Sequence, residues 1–74
     1  MRSNRKTFGI IIIGNEILSG KTLDTNSNLI CTELNNAGMI CKEIVTIPDV
    51  EKIISEKVNL FRQKFDFVFT TGGI

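Results

Sequence analysis

The sequence predicts an open α/β fold on a parallel sheet, and three observations carry that prediction. Three short apolar runs rich in isoleucine, valine or phenylalanine alternate with two stretches of helical periodicity. The first and third runs stop abruptly at glycine, Gly14 and Gly72, as strands buried on both faces do. The stretch between them that opens at Gly14, reading Gly-Asn-Glu-Ile-Leu-Ser-Gly-Lys-Thr-Leu-Asp-Thr-Asn to Asn26, is polar and acidic. In open α/β sheets ligands bind at the carboxyl ends of the strands, which is where this stretch falls.

In chain order, residues 1–6 read as a flexible polar leader. Arg2, Arg5 and Lys6 precede an apolar run too short for a signal-peptide core, and no small-x-small cleavage site follows. With no stretch approaching a membrane span of about 20 apolar residues, the expected location is the cytoplasm. The first strand is expected over 7–13. A first helix should begin near Thr25 or Asn26, both good cap residues, with Ile30, Leu34 and Ala37 facing inward, flanked by Leu29 and Cys31. Gly38 suits the left-handed position that closes a helix.

A second strand is expected over 39–47, less buried because it carries Lys42 and Glu43. Pro48 breaks it, Asp49 is a natural cap, and a second helix should fill 50–64 with Val50, Ile53, Ile54, Val58, Phe61 and Phe65 at helical spacing. The third strand is expected over 65–71. Right-handed crossovers then predict the order 2-1-3 with one helix on each face, and a switch crevice between the Gly14 and Gly72 loops. A third strand as apolar as Phe67-Val68-Phe69, left as a bare edge, is an association hazard. Residues 7–74 therefore read as the N-terminal half of a three-layer domain, truncated after its third strand.

Composition excludes several functions. At 42% hydrophobic and 23% charged, with a net charge of +1, the chain offers no electrostatic footprint for nucleic acid or an anionic membrane surface. It has no histidine, so it supplies neither a serine-histidine nor a cysteine-histidine pair. Cys31 and Cys41 lack metal or redox spacing and read as buried free thiols. What remains is carboxylates at strand ends: Glu16, Asp24 and Asp49. Converging acids suit a Mg²⁺-type cation, which takes oxygen ligands and bridges phosphates, although Asp24 and Asp49 also suit helix capping. Gly14, Gly20, Gly72 and Gly73 leave backbone amides open to a phosphate, with Gly72-Gly73 after an apolar strand the better signal. Lys21 reads as a solvated loop lysine.

The motifs Gly14-Asn15-Glu16-Ile17-Leu18-Ser19-Gly20, Asp24-Thr25-Asn26, Ile47-Pro48-Asp49 and Thr70-Thr71-Gly72-Gly73-Ile74 together resemble the molybdopterin-binding domain family. The likeness is strongest to its competence/damage-inducible CinA-type branch and to the similar domain of eukaryotic FAD synthases. The resemblance implies a MoaB/Mog-like three-layer domain of about twice this length. It implies Glu16 and Asp49 as functional acids and candidate ligands of a divalent metal, with Gly14, Asn15, Asn26, Thr71, Gly72 and Gly73 binding the ligand. Asn15 stands where the family more often has aspartate, which removes one negative charge. The implied parent is a metal-dependent pyrophosphatase acting on ADP-ribose or FAD-like dinucleotides; the alternative is a molybdopterin-binding module of cofactor assembly. A third expectation is an inactive truncated or split-gene remnant, partnered by a missing C-terminal half or by further copies of itself.

Overall fold

In the computed structural model, which describes residues 5–72, the chain forms three strands and three helices. They are β1 (Thr7–Ile13), α1 (Asn15–Leu18), α2 (Asn26–Asn36), β2 (Ile40–Ile47), α3 (Glu51–Lys64) and β3 (Phe67–Gly72). The sheet is parallel throughout and ordered β2-β1-β3, as the alternation of strands and helices predicts. The most apolar run takes the centre. Phe8, Ile10 and Ile11 of β1 are wholly buried, and Ile12 and Ile13 nearly so.

The two-residue period of β1 divides the core into two layers. Phe8, Ile10 and Ile12 meet Ile30, Cys31 and Leu34 of α2 on one face. Ile11 and Ile13 meet Ile54, Val58 and Phe61 of α3 on the other. A helix thus covers each face, giving three layers. Edge-to-face ring pairs lie within both: Phe8 with Phe69 at 5.8 Å, and Phe61 with Phe65 at 5.2 Å between centroids. Gly9 marks where α3 comes closest to β1, because a Cβ there would stand 2.6 Å from the Phe61 ring and 2.8 Å from that of Phe65.

Register is fixed at the amino end of the strands. The Thr7 amide donates to Asp66 Oδ2 at 2.8 Å, and the Asp66 amide donates back to Thr7 Oγ1 at 3.2 Å, clasping β1 to the start of β3. On the other side the β1–β2 register shifts between Phe8 and Gly9, so that Cys41 and Glu43 face consecutive β1 residues and exposed Lys42 becomes the extra residue of a bulge. Within the leader, Arg5 Nε donates to Gly38 O at 2.9 Å and Lys6 O accepts from the Ile40 amide at 2.9 Å, so these two residues are tied to the fold.

The helix ends show where local reading holds and where it fails. Gly38 takes the left-handed conformation at φ 93°, with Gly38 N bonded to Asn35 O and Met39 N to Leu34 O, the paired bonds of a Schellman turn. Ala37, expected inside, is exposed because the helix has already closed. Helix α3 starts at Glu51 after Val50, and no side chain caps it, so Asp49 is not the cap that its sequence position suggests. Val50 and Ile53 lie on the outer side, with Ile54, Val58 and Phe61 filling the core. Phe65 closes α3 as its C-cap: its amide bonds Phe61 O at 2.9 Å and its ring packs against the α3 face of the core, so β3 begins two residues later than expected. The outer edge of β3 carries no further strand among the described residues, and Phe67 there is 46% exposed. No helix among the described residues is long and apolar enough to cross a membrane.

Candidate functional site

Four segments meet at the carboxyl ends of β1 and β3: the turn after β1, the loop before α2, the end of β3 and the first residues of α2. The turn after β1 winds into α1, a single helical turn that periodicity cannot reveal because four residues are too few. The Gly14 amide donates to Ile47 O at 3.1 Å, tying this turn to the end of β2. The Glu16 carbonyl accepts from the amides of Lys21 and Thr22 at 3.0 and 3.2 Å and from Ser19 Oγ at 3.2 Å. Three donors on one carbonyl fix the Glu16 backbone and fold the chain back over the strand end.

The loop before α2 is ordered by Asp24. Its Oδ1 accepts from the Ser27 amide at 3.2 Å, and its Oδ2 bonds the Ser27 hydroxyl. Thr25 occupies the cap position, but its side chain makes no cap bond; Asp24, one residue earlier, supplies the carboxylate. Ser27 is buried by this arrangement, at 7% exposure. At the end of β3, Gly72 pairs with Ile13 and has φ 78°. A Cβ on Gly72 would collide with the Ile13 carbonyl, so only glycine lets β3 lie this close to β1 at the rim.

Between these segments lies a cavity of about 260 Å³. It is lined by Ile12 and Ile13 at the end of β1, by Ile17 and Leu23, and by Glu16, Asp24, Asn26 and Thr71. Leu23 is 86% exposed, an apolar side chain held out at a polar rim. Two carboxylates line the cavity, and no lysine or arginine does so among the described residues. A larger hollow of about 330 Å³ runs along the outer edge of β3, beside Val58, Arg62 and Phe67. It lies away from the Gly14 turn, and we take the smaller cavity as the candidate site because it occupies the strand ends where the order of the sheet reverses.

Of the residues singled out from sequence, Glu16, Asn26, Thr71 and Gly72 line this cavity. Gly14 and Asn15 stand behind it in the turn after β1, and Gly73 lies outside the described residues. Asp49 does not line the cavity either. It is exposed at the end of β2, on the far side of β1, and its amide donates to Asn15 Oδ1 at 3.2 Å. Asn15 therefore acts as a strut between two loops. The expected convergence of Glu16, Asp24 and Asp49 is met only by the first two, and among the described residues no three acids or cysteines form a group able to hold a metal. Thr25, read from sequence as a cap residue, also lines the cavity, as do Thr22 and Leu23, which were not singled out. Their signal was position alone, in the loop between a central strand and the next helix.

Comparison with known proteins adds a family. Residues 9–74 match the family model described as "Probable molybdopterin binding domain". A "Probable FAD synthase" of Caenorhabditis briggsae is 41% identical over 70 residues, covering 95% of this chain and 13% of that protein. A "CinA-like protein" of Fusobacterium nucleatum is 38% identical over 66 residues, covering 89% of this chain and 16% of that one. Among solved structures, the protein CinA of Thermoplasma acidophilum, described as of unknown function, superposes with a TM-score of 0.90 at 30% identity. That superposition covers 97% of this chain and 43% of the other. The chain spans less than a third of the length of the most similar curated relatives, from 13% to 29%.

Proposed function

Since this chain belongs to the molybdopterin-binding domain family, as a CinA-like member spanning part of its relatives' length, we propose that it binds a small phosphorylated ligand, a dinucleotide or a pterin, at the carboxyl ends of β1 and β3. The observation that supports this reading most is the cavity itself, whose lining includes Glu16, Asn26, Thr71 and Gly72 from three of the motifs that carry the resemblance. In a longer protein built on this domain, the proposed reaction is hydrolysis of an ADP-ribose or FAD-like pyrophosphate with a divalent metal. Mg²⁺ commonly rests on one or two carboxylates and completes its shell with water and ligand phosphates. Asp49, exposed at the end of β2 and tied to the turn after β1 through Asn15, is the proposed carboxylate, with water and the phosphates supplying the remaining oxygens. When bound, such an ion would neutralise phosphate charge beside an acidic lining.

The test is calorimetric titration of the chain with ADP-ribose and with FAD, each with Mg²⁺ and with EDTA, together with an assay for AMP release by a longer protein of the same sequence. Metal-dependent binding and AMP release are expected, and Asp49→Asn should lower turnover while leaving the thermal transition in place. Binding of neither ligand under any condition would overturn the reading. A second reading, a molybdopterin-binding module, is favoured by the family's description. It predicts pterin binding without pyrophosphate cleavage.

A further inference from the structure

We infer that the β1/β3 cavity reads the uncharged, donor-rich part of its ligand, the hydroxyls of a ribose or the amine edge of a pterin, through the Glu16 carboxylate, and that Gly14 is the residue that seats this carboxylate. The inference rests on the ligand class proposed above and says which end of that ligand enters. Two independent features carry it. The first is charge: the described lining holds Glu16 and Asp24 and no basic side chain, so a bare phosphate entering it meets only like charge among the ionised side chains. Both Asp24 oxygens are turned to Ser27, whereas the Glu16 carboxylate has no hydrogen-bond partner among the described residues and is the freer of the two to meet a ligand. The polar groups around it, on Thr22, Thr25, Asn26 and Thr71, are hydroxyls and an amide, suited to exchanging hydrogen bonds with a neutral polar group.

The second feature is the space at Gly14. Its backbone is extended, with φ 168° and ψ 121°, a conformation any residue adopts. Yet a Cβ there would stand 2.8 Å from Glu16 Oε2, 3.0 Å from its carboxyl carbon and 3.1 Å from Oε1. The three nearest atoms all belong to that carboxylate. The missing side chain is therefore filled by the Glu16 headgroup, folded back over the end of β1. A methyl at position 14 would first meet the end of a flexible side chain, which can move aside, so Gly14 is a positioning residue whose effect separates from folding.

The experiment follows backbone amide shifts of the full chain on addition of adenosine, 2′,3′-dideoxyadenosine, 6-hydroxymethylpterin and inorganic pyrophosphate, each with EDTA, and of ADP-ribose and FAD with Mg²⁺. Adenosine or the hydroxymethylpterin should perturb residues 22–26 and 71, and pyrophosphate should not. If the ribose diol is what is read, the dideoxy compound loses the effect; if the amine edge is read, the pterin alone binds. Glu16→Gln and Gly14→Ala should each weaken the neutral ligand about tenfold or more, the loss of a charge-assisted hydrogen bond. Gly14→Ala should leave the thermal midpoint unchanged, and in a Glu16→Gln background it should add little. If ADP-ribose or FAD binds while the neutral fragments do not, or Gly14→Ala binds as tightly as the native chain, this inference is wrong and the wider reading stands. Failure of every ligand removes both.

Discussion

Substituting the central glycine of β1, Gly9→Ala, sets two effects against each other whose sizes the structure fixes. Alanine in a strand interior is favoured over glycine by about 0.5–1 kcal/mol, because glycine loses more backbone freedom on folding. Against this, the new methyl would stand 2.6 Å from one ring atom of Phe61 and 2.8 Å from one of Phe65. Phe61 is wholly buried between α3 and the sheet, so its ring cannot swing into solvent. Overpacking of this kind costs about 1–3 kcal/mol. Taking the middle of each range, the net loss is about 1 kcal/mol, and in a domain of this size each kcal/mol moves the thermal midpoint by about 4–8 °C. Far-UV circular dichroism at low micromolar concentration, with exchange of the β1 amides as a second readout, should show a midpoint lower by about 4–8 °C. Phe61→Leu in the same background should recover part of the loss, with a coupling of at least about 0.5 kcal/mol in the double-mutant cycle. A midpoint unchanged or raised in Gly9→Ala would show that α3 shifts freely on the sheet, and the account of a close-packed face would fail.

Three further outcomes follow from particular contacts. Burial, then the hydrogen bond and charge of Cys31, push the Cys41 thiol up from the ordinary 9.0 to about 11. Maleimide labelling of Cys41 should thus lag behind a free thiol near pH 8, and stability should fall as pH rises from about 9 towards 11, where the unfolded chain ionises first. The Asp66 carboxyl is held below its ordinary 3.8 chiefly by the Thr7 amide, aided by the Thr7 hydroxyl and the Lys6 charge. Its contribution is present above the ordinary carboxylate range and lost as pH falls through the lower folded value; the Thr7 amide shift in an acid titration should turn below 3.8, and a turn at or above it would refute the clasp. Finally, Phe67→Lys on the open edge of β3 should reduce concentration-dependent light scattering, because an edge lysine discourages strand pairing; equal scattering would place the association surface elsewhere.

Much of the site was legible from residues near one another in sequence. Glu16 and Asn26 lie in the acidic turn after the strongest strand, and Thr71-Gly72 ends the third. Each carries a local signature of glycine, acid or cap residue at a strand end. Asp49 carries the same signature and does not line the cavity, because β2 lies on the far side of β1 from β3 and its loop points to Asn15. At the start of α2 the sequence offers Asp24, Thr25 and Asn26 as cap residues, and the structure selects Asp24, whose carboxylate reaches Ser27 while the Thr25 side chain makes no cap bond.

The sequence by itself determined which segments are strands, that they are parallel, and that β1 lies at the centre. Those follow from hydrophobic period, the glycine stops and the handedness of crossovers, all properties of the chain read a few residues at a time. Only the tertiary structure decided which acids share a cavity, that Gly9 is empty for the Phe61 ring, and that Gly14 is empty for the Glu16 carboxylate. The physical reason is that a missing side chain has no pattern of its own. Its meaning lies in what packs into the space, and at Gly9 that neighbour comes from a helix more than forty residues along the chain.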